Sequence, residues 1–256
     1  MSGHRRPRRG IFLLPTFFTV GNLFCGFTSL IQSSHGAWEF AAALILVAGV
    51  LDMVDGRIAR LTGTTSEFGV QFDSLADLVS FGVAPAYLAW EWGLEPLQRL
   101  GWSIAFLFVV CAAMRLARFN VQSTGGSKRY FAGLPTPPAA AAVACTAFAV
   151  PSPPLRSWVP LLFGSVLVAL AVLMVSRVRY RSFKDIDLRN RRSFLFILPL
   201  AAAVGAAAYK PGEAAMALAG AYVASGPLGW VLRRLRGQTA DGTLERTGVV
   251  DEPAGR

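Results

Sequence analysis

Apolar stretches of about 16 to 24 residues recur along almost the whole chain, each close to the length that crosses the hydrocarbon core of a bilayer. They run over roughly 11–31, 38–61, 69–92, 99–121, 136–151, 155–177, 193–208 and 213–232, and predict an all-α, polytopic transmembrane bundle of about eight helices. The fifth and seventh are short for a span and require little tilt or shielding by neighbours. Of the 256 residues 54% are hydrophobic and 16% charged, with a mean hydropathy of +0.47, whereas a soluble domain carries about 25% charged residues. Disordered chains, collagen-like repeats and soluble nucleic-acid-binding modules are thereby excluded, and no nucleic-acid partner is expected.

The formal net charge of +10 acquires its meaning from where the cations sit. All of the 25 Lys and Arg except Arg99, Arg156 and Lys210 fall on alternate connecting segments or at the helix ends beside them. Positively charged segments are retained in the cytoplasm, so this alternation predicts a membrane protein with both termini inside. Ala, Gly and Arg richness fits a high-GC bacterium, which makes the bacterial cytoplasmic membrane the expected location. The Arg clusters also suit contact with anionic membrane lipids. Residues 1–10 form a basic cytoplasmic segment, 11–233 a single transmembrane domain, and 234–256 a polar, Gly-rich tail expected to be disordered. No small-residue cleavage site follows the first apolar run, which reads as a retained helix. Cys25, Cys111 and Cys145 lack metal-ligand spacing and read as buried thiols. Neither His4 nor His35 has an evident nucleophile or metal partner.

Most of the 15 acidic residues lie in loops, near helix ends or in the tail. Four do not: Asp52 and Asp55 lie toward the cytoplasmic end of the second helix, and Asp73 and Asp77 in the first turns of the third. An ionised side chain in a membrane helix costs about 2.5 to 3.5 kcal/mol, so four together require compensation. Asp52 and Asp55 are spaced i, i+3 and Asp73 and Asp77 i, i+4, so each pair projects from one helix face. The segment around LTGTTSEF is short enough to make the two helices antiparallel neighbours, with the four carboxylates converging on one pocket. Hard divalent cations with oxygen ligands, Mg²⁺ or Mn²⁺, are the natural counter-charge.

The flanking residues suit a phosphate-bearing ligand. Gly56 and Gly69 remove side chains where a ligand approaches, Ala59 keeps the wall shallow, and Arg60 can fork onto phosphate oxygens. Two metals bridging a diphosphate would stabilise charge on the leaving and transferring oxygens, and one carboxylate could take a proton from an incoming hydroxyl. A proton or cation pathway in an ion-coupled transporter is the competing reading of four intramembrane acids. An ion-pair network with Arg57 and Arg60 leaves charge unpaired.

The segment DMVDGRIARLTGTTSEFGVQFDSLAD, residues 52 to 77, fills every fixed position of the CDP-alcohol phosphotransferase signature: Asp, two residues, Asp-Gly, two residues, Ala-Arg, eight residues, Gly, three residues, Asp, three residues, Asp. PTFFTVGNLFCGF at 15–27, RLARFNV at 115–121 and KRYFAGLPTPPAAA at 128–141 resemble the phosphatidylserine synthase branch of bacteria and archaea, so the likeness covers roughly the first 145 residues. The resemblance implies a helical membrane homodimer whose site opens to the cytoplasm. It implies two metals held by Asp52, Asp55, Asp73 and Asp77, with Asp77 also the base for the acceptor hydroxyl. Gly56, Arg60 and Ser66 match positions that contact the CDP-alcohol, and Thr19 and Asn22 resemble nucleotide-facing residues, although a helix-packing role fits them equally.

The reaction implied is transfer of the phosphatidyl group from CDP-diacylglycerol to L-serine, giving phosphatidylserine and CMP. Direct attack is expected, because no Ser-His or Cys-His arrangement accompanies the aspartates. Glycerol 3-phosphate, inositol phosphate and choline are the alternative acceptors, since the signature itself does not distinguish them. A serine pocket needs cations for the carboxylate, and Arg118, Lys128 and Arg129, with Asn120, are the candidates near the fourth-to-fifth connection. Their cations serve equally as cytoplasmic retention charges. Pro135, Pro137 and Pro138 are expected to set the start of the fifth helix.

Overall fold

The computed structural model describes residues 13–62, 66–124, 133–152, 157–176 and 210–235. Helix α1 (Leu13–Ser34) and α2 (Trp38–Thr62) form an antiparallel hairpin. Its turn is a Schellman closure: Gly36, at φ 74°, donates its N–H to the Ser33 carbonyl, and Ala37 donates to Gln32. After the second connection come α3 (Glu67–Asp77), α4 (Ala84–Ala89), α5 (Arg99–Thr124), α6 (Thr136–Ala149), α7 (Val159–Val175) and α8 (Pro211–Leu235). The described residues contain no strand. The starts and ends lie within a few residues of the apolar runs, and candidate span 193–208 lies outside the described residues.

Helix α1 is amphipathic in the inverted sense. Its polar Thr19, Asn22, Ser29 and Ser33 are buried, while Phe17, Val20, Phe24, Phe27 and Ile31, spaced three and four apart, are exposed. Apolar side chains on the outer face and hydrogen-bonded polar ones inside are what a hydrocarbon solvent favours. Small residues then let the backbones close in. Ala41, Ala42 and Ala48 of α2 and Ala139, Ala140 and Ala144 of α6 are all fully buried, and α6 in turn packs against α8. At the end away from the carboxylates, the Trp92 indole donates to the Val150 carbonyl at 2.8 Å and meets the Phe163 ring edge-on. The Leu134 N–H bonds the Leu173 carbonyl and ties the start of α6 to the end of α7.

One difference from the apolar-run reading bears on the site. The run 69–92 is not a uniform α-helix: α3 leads into a π-helical turn, Leu78–Val83, then α4, a second π turn, Trp90–Leu94, and a 3₁₀ turn, Glu95–Leu97. Proline explains both wide turns. Pro85 and Pro96 cannot donate to the carbonyl four residues back, and the bonds shift so that Ala84 reaches Val79 and Glu95 reaches Trp90.

By length and composition, Arg99–Val121 is the described helix able to cross a membrane, with Thr136–Ala149 and Val159–Val175 as shorter apolar helices. The described helices therefore do not reproduce the count of about eight spans. Acidic and basic residues interrupt α2, and the third run is broken by its wide turns.

The first wide turn presses against α1. A Cβ at Gly26 would lie 2.7 Å from the Cα of Ser80, a backbone atom that cannot swing aside. Gly26→Leu is therefore expected to destabilise the protein by about 1–3 kcal/mol, the usual range for overpacking. Thermal inactivation in detergent checks this, and a melting curve matching the parent would contradict the packing described.

Candidate metal centre

Ser66 starts α3 as its N-cap, its Oγ accepting from the Gly69 N–H at 3.0 Å. From there the helix carries Asp73 and Asp77 alongside α1 and against α5. Asp77 is the last residue before the wide turn, so the acids sit deeper in the helix than its first turns. Carboxylate oxygens of Asp52, Asp73 and Asp77 all lie within 4.8 Å of one another. Asp55 stands beside this trio, close enough to interact electrostatically with Asp52 and Asp73, and is only 5% exposed.

Helix α1 holds two of these carboxylates in place. The Thr19 hydroxyl donates to Asp55 Oδ2 at 2.6 Å, and Asn22 Nδ2 donates to Asp77 Oδ1 at 3.0 Å. Asn22 is itself fixed where Ser80, in the wide turn, donates to its backbone carbonyl at 2.9 Å. Thr19 and Asn22 thus orient the acids, a role that their polar faces on an otherwise apolar helix could have suggested.

The donor set suits a hard dication. It consists of carboxylate oxygens, and Asp55 Oδ1 is buried without a hydrogen-bond partner, an orphan acceptor that a cation would satisfy. Lys210–Glu213, far along the sequence, is the ion pair found among the described residues, so no such pair neutralises the cluster there.

The remaining candidates divide. Gly56 is exposed on the turn after Asp55, and Gly69 serves the α3 cap. The side chains of Ala59 and Arg60 lie outside the described set, as do Lys128 and Arg129 altogether. Arg118 is exposed, whereas Asn120 bridges α5 to α3 through Ser74 and Gln71 at 3.0 and 3.1 Å. Sequence reasoning passed over Arg115, counted among the retention cations. Its half-buried guanidinium donates to Thr136 Oγ1 at 2.6 Å and lies within electrostatic reach of Asp77 and of Tyr222 on α8. A cation set inside an apolar run, with Arg118 closer to the run's boundary, is the signal that could have found it.

A family profile described as CDP-alcohol phosphatidyltransferase matches residues 12–177. The chain belongs to this family. Among curated CDP-alcohol phosphatidyltransferase relatives, the CDP-diacylglycerol–serine O-phosphatidyltransferase of Helicobacter pylori (strain ATCC 700392 / 26695) is 37% identical over 226 residues, 88% of this chain and 94% of the relative. The enzyme of the same name from Bacillus subtilis (strain 168) is 31% identical over 180 residues, covering 70% of this chain and 96% of its own. The archaetidylserine synthase of Methanothermobacter thermautotrophicus is 36% identical over 169 residues, 65% of this chain and 69% of that one. The CDP-alcohol phosphatidyltransferase match spans both carboxylate-bearing helices, α1 and Arg115.

Partners that orient metal-binding carboxylates typically contribute 10- to 100-fold to metal affinity. Thr19→Val, which removes the hydroxyl from buried Asp55 while keeping the shape, is expected to weaken Mn²⁺ binding by about that factor. Titration followed by electron paramagnetic resonance measures it, and unchanged affinity would contradict the orienting role.

Proposed function

We propose that this protein is an integral membrane enzyme that transfers the phosphatidyl group of CDP-diacylglycerol to the hydroxyl of L-serine, releasing CMP. The observation that carries the chemistry is the approach of Asp52, Asp73 and Asp77 within 4.8 Å, on the two helices that bear the signature. The names of the bacterial relatives support CDP-diacylglycerol as donor, and serine recurs in all three names, the archaeal one included. The distribution of Lys and Arg supports a site open to the cytoplasm with both termini on that side. The family resemblance supports a homodimer.

Asp52, Asp55, Asp73 and Asp77 would hold two divalent cations, Mg²⁺ or Mn²⁺. Such ions supply charge neutralisation for the diphosphate and for the departing CMP. The chain's own groups bind and orient around them. By the family pattern, Gly56, Ala59 and Gly69 would leave room for the nucleotide end of the donor, with Arg60 and Ser66 as polar contacts, and Arg118, Lys128 and Arg129 would add positive charge for the acceptor. Asn22 holds one Asp77 oxygen, which turns the carboxylate and leaves the other free to accept a proton. The serine oxygen bonds to the phosphatidyl phosphorus as its proton passes to Asp77. The bond from that phosphorus to the oxygen bridging it to CMP breaks, and CMP leaves with the electron pair.

Purified protein supplied with CDP-diacylglycerol, Mg²⁺ or Mn²⁺ and a panel of acceptors is expected to release CMP with serine and not with glycerol 3-phosphate, inositol phosphate or choline. CMP release with one of those instead reassigns the acceptor, and none with any acceptor removes the enzyme reading in favour of transport. Asp77→Asn is expected to abolish turnover, by about 10²-fold or more as for loss of a general base, while donor binding persists. Lost donor binding with normal residual turnover would contradict the role given to Asp77.

A further inference from the structure

Helix α5 sends one cation into the bundle beside the carboxylates. Arg115 carries five N–H donors, and its hydrogen bond to Thr136 Oγ1 occupies Nη1. Thr136 is fully buried in the first turn of α6, so the guanidinium is braced on that side by a fixed neighbour. Among the described residues no carboxylate comes within ion-pair distance of it, although Asp77 lies close enough to act on it electrostatically. A half-buried cation with donors to spare, next to the proposed base, is a receptor for an anion. The other described cation of this helix end, Arg118, is exposed, and Asn120 is engaged with Ser74 and Gln71.

We infer that Arg115, braced by Thr136, receives the carboxylate of the amino-acid acceptor and so sets the acceptor's hydroxyl against Asp77. This rests on the serine-transfer reading above. Serine carries its hydroxyl on the carbon next to the one bearing the carboxylate. An anchor and a base on neighbouring helices can therefore engage both ends of the same small molecule. A planar guanidinium fork matches a carboxylate with two parallel hydrogen bonds, which fixes orientation as well as affinity. The same fork could take a phosphate oxygen of the donor, and the two ligands predict different kinetics.

The test measures steady-state CMP release by the full-length protein in CDP-diacylglycerol micelles, with serine and with serinol, in which a hydroxymethyl group replaces the carboxylate. L-Alanine, which keeps the carboxylate and lacks the hydroxyl, serves as a competitive inhibitor. In Arg115→Met, kcat/KM for serine is expected to fall roughly 10- to 100-fold, the range for charge-assisted hydrogen bonds. Inhibition by alanine weakens in parallel, while serinol turnover and the KM for CDP-diacylglycerol stay unchanged. Arg115→Lys, which keeps the charge without the fork, is expected to lose part of the serine preference and decides the matter if the methionine variant does not fold. Equal losses for serine and serinol would overturn the inference in favour of a structural role. A raised donor KM with unaltered alanine inhibition would overturn it in favour of a phosphate contact. If the parent protein releases CMP with serine, either of these results removes the Arg115 assignment alone; if it does not, the serine reading fails first and takes the assignment with it.

Discussion

Mutual approach of negatively charged side chains inside an apolar bundle is the constraint to which the rest of this structure answers. Asp52, Asp73 and Asp77 come within 4.8 Å of one another, and Asp55 is buried beside them. Left to themselves, such groups repel one another and forgo hydration. Two features of the chain oppose this. Helix α1 turns its polar face inward and donates from Thr19 and Asn22 to the acids. The oxygen-only donor set, with Asp55 Oδ1 unsatisfied, would be completed by divalent cations.

The wide turn after Asp77 belongs to the same arrangement. Ser80 projects from it to the backbone of Asn22, and Gly26 allows α1 to lie against it. Pro85 thus bears on the site at a distance, because its ring would clash with the carbonyl four residues back in a regular helix and so favours the widened turn that carries Ser80. Asn22 is held by its backbone and in turn fixes one oxygen of Asp77. The ordering passes from a proline to the proposed base through two hydrogen bonds.

Much of this was legible in the sequence, and what was not has physical reasons. The apolar runs located the helices because burial in lipid or in a bundle selects for long apolar segments, and six of the helix positions follow those runs closely. The four aspartates stood out because ionised groups are costly there. Periodicity does not report hydrogen-bond register, so the π turns in 69–92 were invisible to it, although Pro85 marked the place. Thr19 and Asn22 were recognisable as polar residues in α1, but which acid each would meet depended on how α1 packs against α2 and α3. Arg115 was hidden by its company: close to Arg118 in sequence, it counted as one more retention charge, and the rotation of α5 alone separates a half-buried cation from an exposed one.

Anomalous diffraction from crystals grown with Mn²⁺ tests the central claim most directly, because it locates the cations independently of any activity. Peaks enclosed by Asp52, Asp73 and Asp77, with Asp55 as a further ligand, are the predicted result. Absence of Mn²⁺ from that cluster at saturating concentration, or its binding only at other acidic residues, would contradict it.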